Sequence, residues 1–199
     1  MFIYFFVRDY VWRCGFIKMI PNYTDINNDK LLGTVLYLNK IKESCDKGII
    51  SFENNSIKKL VELSVQICLQ NSQDKHIKIN FSGVEDINIQ FNFWFMQQAA
   101  ANIITNAIQH SPKYGEIIIK SYKKEKHVVL SFRDFGKGIN AESLNFLFEE
   151  ALILKHDCSE FDRNLLIAKT ITEAHKGFIT AESKTGAGST FLMHLPSES

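Results

Sequence analysis

"FMQQAAANIITNAIQHSP", Phe95 to Pro112, carries Asn102 and Asn106 four residues apart inside an otherwise apolar segment. Phe95, Ala99, Ile103 and Ala107, with Met96, Ala100, Ile104 and Ile108, form a wide apolar stripe at i,i+4 spacing, which predicts a helix over about Asn92 to His110. Gln98, Asn102, Asn106 and His110 form a second stripe beside it. A polar stripe is ordinarily a solvated face, and solvated faces carry charge. No Asp, Glu, Lys or Arg occurs from Ile87 to Pro112, so the pattern favours an enclosed helix whose amides face a polar cavity.

The segments around this helix give the fold class. "SIKKLVELSVQICLQ" reads as a helix capped by Ser56, with Ile57, Leu60, Val61, Ser64, Val65 and Cys68 on one side. "IISFEN", "HIKINFS", "INIQF", "GEIIIKSY", "KHVVLSFRD", "GFITAES" and "GSTFLMHLP" read as strands. A short helix is expected near Glu142 to Phe148 and a longer one from about Asp162 to His175. Helices and strands interleave without regular β-α-β alternation. The expected class is therefore α+β, a two-layer sandwich of helices on a mixed, mostly antiparallel sheet. A helical segment, "KLLGTVLYLNKIKESC", closed by Gly48, precedes it. The expected organisation is 1–30 as an aromatic and polar segment of poor order, 31–48 as the helical segment, and 49–199 as the main domain.

Composition narrows the function classes. Lys plus Arg is 23 against 22 for Asp plus Glu, a net charge of +1, which leaves no electrostatic footprint for nucleic acid. Cys14, Cys45, Cys68 and Cys158 lie far apart without a C-x-x-C pair, so neither a zinc ribbon nor a disulfide framework is indicated and a reduced, cytoplasmic setting is expected. Arg8, Asp9, Arg13 and Lys18 interrupt the aromatic opening, so no transmembrane segment is expected there. That opening also lacks the features of a signal peptide.

Two glycine motifs follow the asparagine helix. "RDFGKGI" places Asp134, Gly136 and Gly138 at a strand end. The plain reading is a turn; the functional one has Asp134 accepting a hydrogen bond from an exocyclic amine while the glycines admit a flat ligand close to the backbone. "SKTGAGSTFLMHLP" introduces the last strand with Gly186 and Gly188 and reads alone as a hairpin turn.

Taken in order, N-x-x-x-N-A on a helix, a strand ending D-x-G-x-G-I, "FLFEEAL", and "AKTITEAHKGFITAES" followed by "GAGSTF" resemble the ATP-binding domain of sensor histidine kinases, in the wider group that includes DNA gyrase and MutL. The resemblance runs from about Ile49 to Pro196. It implies the Bergerat fold, ATP and Mg²⁺ as cofactors, and nucleotide between the asparagine helix and a mobile lid. It implies that Asn106 holds Mg²⁺, that Asp134 contacts the adenine amine, and that Gly136, Gly138 and Ser189 line the base pocket, with Asn102 and His110 completing the amide stripe. ATP-hydrolysing relatives hold a water-activating carboxylate where this chain has Asn102, and an amide cannot act as that base.

The departures are specific. Where the family carries a second glycine box, this chain reads "EFDRNL", with Glu160, Asp162 and Asn164 in place of the glycines. Two carboxylates beside phosphates repel by about 2 to 3 kcal/mol per unit-charge pair at about 6 Å and an effective dielectric of about 20. Arg163 offsets part of this, and Asp162 reads structurally as a helix N-cap. Gln109 stands where many members have a phosphate-contacting Lys, and the lid from Phe148 to Glu160 reads as short. The histidines, 76, 110, 127, 156, 175 and 194, all fall inside the domain, so no phosphoacceptor precedes it and no catalytic residue is assigned. Leu31 to Cys45 resembles the tail of a dimerising hairpin.

Three expectations follow from the resemblance. One is a degenerate member of two-component or phosphorelay signalling with weak or absent ATP binding, docking onto a response regulator, a histidine kinase or a phosphotransfer protein. Another is an ATP-binding kinase module acting on a His in trans. A third is a truncated remnant of a longer sensor kinase. A homodimer is compatible with the helical tail.

Overall fold

The computed structural model describes residues 30–72, 75–149 and 159–197. The expectations for 1–29 and for most of the lid lie outside these. The chain divides after Tyr37 into two units, and α1 (Lys30–Asp46) crosses that division. In the second unit Leu38 and Ile41 of this helix are buried, and Gly48, at φ +64°, ends the run that follows it.

The main domain has the order β1 (Glu53–Ser56), α2 (Ile57–Ser72), β2 (Lys78–Gly83), β3 (Asn88–Phe91), α3 (Phe93–His110), β4 (Glu116–Lys124), β5 (His127–Asp134), α4 (Ala141–Phe146), α5 (Glu160–Ala174), β6 (Phe178–Ser183) and β7 (Ser189–Pro196). A five-stranded sheet runs β2-β4-β5-β7-β6. Only the β2–β4 pair is parallel, and the remaining neighbours are antiparallel, as a mixed sheet of this class requires. β1 and β3 form a separate antiparallel ribbon.

Strand alternation selects the face that the helices cover. Ile117 and Ile119 of β4, Leu130 and Phe132 of β5, and Phe191, Met193 and Leu195 of β7 are buried, alternating along their strands with more exposed positions. On β5 the alternation is broken by Val129, also fully buried. α3 packs between α2 and α5, which explains the missing charges: Met96, Ala99, Ala100, Ile103, Ile104, Ala107 and Ile108 are all buried. Burying each large apolar side chain contributes about 1.5 to 3 kcal/mol. The apolar side expected for α2, Ile57 through Cys68, is buried in full.

Two boundaries differ from the sequence reading. The first strand starts at Glu53 rather than Ile49, because its register is set by β3: Glu53 pairs with Phe91 and Ser56 with Asn88. Ser56 ends that strand and also caps α2, accepting from the Lys59 N–H at 3.1 Å. α5 begins at Glu160, two residues earlier than expected. Its N-cap is Ser159, and Asp162 sits at N3, reaching back to the Ser159 N–H in a capping box. Asp162 therefore caps from inside the helix, not from the N-cap position itself.

Candidate functional site

The C-terminal half of α3, the end of β5, the β6–β7 turn and the start of α5 meet around a cavity of about 810 Å³, a size suited to a nucleotide-sized ligand. Each wall has a local cause. α3 is held at its start by Asn92, whose Oδ1 accepts from the Phe95 N–H, and at its end by Lys75, whose ammonium donates to the carbonyls of Ile108, Gln109 and Ser111 at 3.1, 2.6 and 3.3 Å. A cation on the last carbonyls also offsets the negative end of the helix dipole.

Asp134 ends β5 almost fully buried. Its Oδ1 accepts from the Gly136 N–H at 2.8 Å and the Ser189 N–H at 3.3 Å, while Oδ2 accepts from no other described residue. Burial raises its carboxyl from the ordinary value, and the Gly136 and Ser189 N–H groups, His110 and its own backbone N–H pull it part of the way back. The geometry leaves an acceptor oxygen at the cavity wall.

The glycines are required by backbone contacts. A Cβ on Gly136 would lie 2.2 Å from the His110 carbonyl oxygen, so this residue lets the end of β5 touch the end of α3. Gly138, at φ +69°, brings its loop against the Lys184 carbonyl, where a Cβ would stand 2.1 Å away. Gly188, at φ +81°, does the same against the Asp134 carbonyl. A Ser183 hydroxyl, which sequence reasoning did not single out, ties these pieces together: it accepts from the Ile139 N–H, donates to the Gly188 carbonyl and lies 3.0 Å from the Ser189 hydroxyl.

Of the residues expected from sequence, the fold brings Asn106, His110, Asp134, Gly138 and Ser189 to the cavity. Asn102 and Gly136 are not among its lining residues. Asn102 is buried with its Nδ2 unpartnered among the described residues, and His110 buries an unpartnered Nε2. Burial holds His110 below the usual histidine range, with Lys137 acting in the same direction, Asp134 opposing it and Lys75 adding to the lowering.

The α5 side holds Phe161, which sequence reasoning missed, and Asn164, which it named only as a replaced glycine. The Phe161 ring stands edge-on to His110 at 4.6 Å and 6.5 Å from the Phe191 ring. Asn106 donates from Nδ2 to the Phe161 carbonyl at 3.2 Å and accepts at Oδ1 from Asn164 Nδ2 at 3.0 Å. Asn106 is 1% exposed and Asn164 3%. The base end, with its free carboxylate oxygen, fits an exocyclic amine. At the metal end the Asn106 oxygen is buried and accepts from Asn164, and the unpartnered side-chain atoms nearby, Asn102 Nδ2 and His110 Nε2, are nitrogens. That arrangement does not fit Mg²⁺, which takes oxygen ligands.

Comparisons with known proteins agree with the fold. Residues 94–199 match the family of Histidine kinase-, DNA gyrase B-, and HSP90-like ATPases. The chain is 35% identical to the sensor protein KdpD of Clostridium acetobutylicum over 155 residues, 73% of this chain and 17% of that protein. It is 27% identical to the sensor histidine kinase GraS of Staphylococcus haemolyticus over 173 residues, 85% of this chain and 49% of that protein. The chain thus spans half or less of the length of these relatives. The fold matches the catalytic domain of the histidine kinase ThkA with a TM-score of 0.65 at 21% identity, covering 75% of this chain and 97% of that one. It also matches full-length ShkA in complex with AMPPNP, with a TM-score of 0.69 at 19% identity, covering 83% of this chain and 35% of that one. No described helix is long and apolar enough to cross a membrane. The match over more than half of its length makes this chain a member of the histidine kinase-, DNA gyrase B- and HSP90-like ATPase family.

Proposed function

We propose that this chain is a degenerate histidine kinase-like module of two-component signalling in the cytoplasm, which binds adenine nucleotide weakly and acts by docking onto a response regulator, a partner kinase or a phosphotransfer protein. On this reading Asp134 receives the adenine amine at Oδ2, Gly138 and Ser189 bound the base, and α1 supplies a residual dimerisation helix. Asn106 stands at the metal position without serving it in the state described.

The observation that carries the reading is the Asn106 carboxamide, spent at both ends on α5 and buried. An ATP site for phosphoryl transfer depends on metal ions that neutralise the charge developing on the phosphates, and here the oxygen of that ligand is buried and bonded to Asn164. Asp162, on the cavity wall, adds a negative charge. The opposing reading, a kinase module acting on a His in trans, draws support from the size of the cavity and the open Asp134 oxygen.

Calorimetric titration with AMPPNP and Mg²⁺, beside Asp134→Asn and a phosphoryl-transfer assay on a His-bearing hairpin, separates the two. Weak binding that is lost in the variant, without transfer, is the expected result. Micromolar binding accompanied by transfer overturns the docking role in favour of the kinase.

A further inference from the structure

The Phe161 carbonyl can only accept, so it fixes Asn106 Nδ2 toward itself and turns Oδ1 onto the Asn164 amide. A carboxamide can hold a hard cation only through its oxygen. That oxygen belongs to a residue 1% exposed, bonded across from α3 to α5. The first turn of α5 is itself well held: Ser159 and Asp162 close a capping box, and Leu165 and Leu166 beyond it are buried. The capping box keeps the turn helical, and the burial of Leu165 and Leu166 anchors the helix behind it.

The Asp134 end of the same cavity is not blocked in this way. Its free oxygen, Gly138 and Ser189 remain on the wall, and Asp134, Gly136 and Ser189 are braced by backbone bonds that do not involve α5. We propose that Phe161 and Asn164 form an internal plug on the metal end of the cavity, so that the chain takes an adenine nucleoside without Mg²⁺ and accepts metal-bound phosphates only when the plug is removed. The inference rests on the adenine reading of the Asp134 end given above. It assigns Asn164 a role as a specificity-determining residue: it selects against the metal-chelated triphosphate by holding the one side chain that would meet the metal.

The test is calorimetric titration of the full chain with adenosine and with AMPPNP, each with and without Mg²⁺, on wild type, Asn164→Ala and Asn164→Gly. In wild type the two ligands are expected to bind within about threefold of each other whether or not Mg²⁺ is present, and in the variants Mg²⁺ is expected to raise AMPPNP affinity about tenfold or more. Alanine removes the amide while keeping helix propensity, and glycine also removes the Cβ, so the result does not hang on one substitution. In two-dimensional NMR the Asn106 side-chain amide pair should stay unmoved by Mg²⁺ in nucleoside-bound wild type and shift in AMPPNP-bound variants. Wild-type affinity for Mg-AMPPNP tenfold or more above that for adenosine, or no gain from Mg²⁺ in either variant, overturns the plug and leaves the nucleotide reading intact. Failure of every ligand on all three proteins, each folded by circular dichroism, overturns the plug and the adenine reading together.

Discussion

Asn164 on α5 donates its side-chain amide to Oδ1 of Asn106 on α3 at 3.0 Å, and Asn106 passes a second bond to the Phe161 carbonyl at 3.2 Å. Both asparagines are buried, so removing one strands the other. Asn164→Ala leaves the Asn106 oxygen without its donor and is expected to cost about 1 to 3 kcal/mol. Asn106→Ala strands both the Asn164 amide and the Phe161 carbonyl and is expected to cost about 2 to 5 kcal/mol. In the double variant the two losses overlap, with a coupling of about 1 kcal/mol in urea unfolding. Strictly additive losses would mean that the two amides do not share a bond in solution.

The glycine turns offer a graded comparison. Gly136→Ala and Gly188→Ala each drive a methyl into a main-chain carbonyl at 2.2 and 2.1 Å, and neither carbonyl can move without shifting the end of α3 or β5. Both are expected to cost about 3 kcal/mol or more. Gly186 has a similar φ, +80°, but open space around its Cβ position. Gly186→Ala carries only the left-handed penalty of about 1 to 2 kcal/mol. Thermal unfolding of the three variants should separate them into two classes, and equal losses would refute the contact argument.

Much of the fold was legible because it follows from local spacing. The charge-free stripe on α3 and the alternation along β4 and β7 reflect burial that each segment must meet on its own account. The glycines at 136, 138 and 188 were legible as a pattern, though the reason for them, three carbonyls on other elements, was not. "EFDRNL" was recognised as a substitution of glycines, yet nothing in its spacing says that Asn164 would meet Asn106, 58 residues earlier. The same holds for Lys75 on the end of α3 and for Ser183 beneath the Gly138 loop. Such pairs depend on how helices and strands are juxtaposed, and a side chain carries no local trace of a distant partner. The shift of β1 has the same origin, since its register is imposed by β3.

Asp134→Asn separates recognition from stability. The asparagine oxygen can keep the Gly136 and Ser189 N–H bonds, while its amide presents a donor where the cavity had an acceptor. Adenosine affinity should fall about tenfold or more, the worth of one bond to a charged group. The folded-state pKa of Asp134 is raised by burial above its ordinary value, so its contribution to stability is full below that ordinary value and is lost as pH rises through the folded value. At pH 7 the neutral variant should therefore be no less stable than wild type, with any advantage disappearing in acid. A clear loss of stability at pH 7 would show that the Asn side chain cannot hold the turn.

His175 ties the far end of α3 to α5 and makes stability depend on pH. Its Nδ1 lies 2.7 Å from the Ile171 carbonyl, which can only accept, so the proton sits there and Nε2 accepts from the Asn92 N–H at 3.1 Å. Burial holds its pKa below the ordinary value of 6.5, with the Ile171 carbonyl pulling it back in part. Protonating Nε2 would turn an acceptor into a second donor against the Asn92 N–H, at the residue that also caps α3 through its side chain. The unfolded chain therefore takes the proton first. Stability from this group is complete above about pH 6.5 and falls as pH drops from there toward the folded pKa, by up to about 1.4 kcal/mol per pH unit. His110 and His194 are also held low by burial and act in the same direction, so the decisive quantity is the difference from His175→Gln, which retains an acceptor but does not titrate. Urea unfolding between pH 5 and 8 should show a steeper decline for wild type than for the variant below about pH 6.5. Parallel curves would mean that the Asn92 N–H does not depend on a neutral His175.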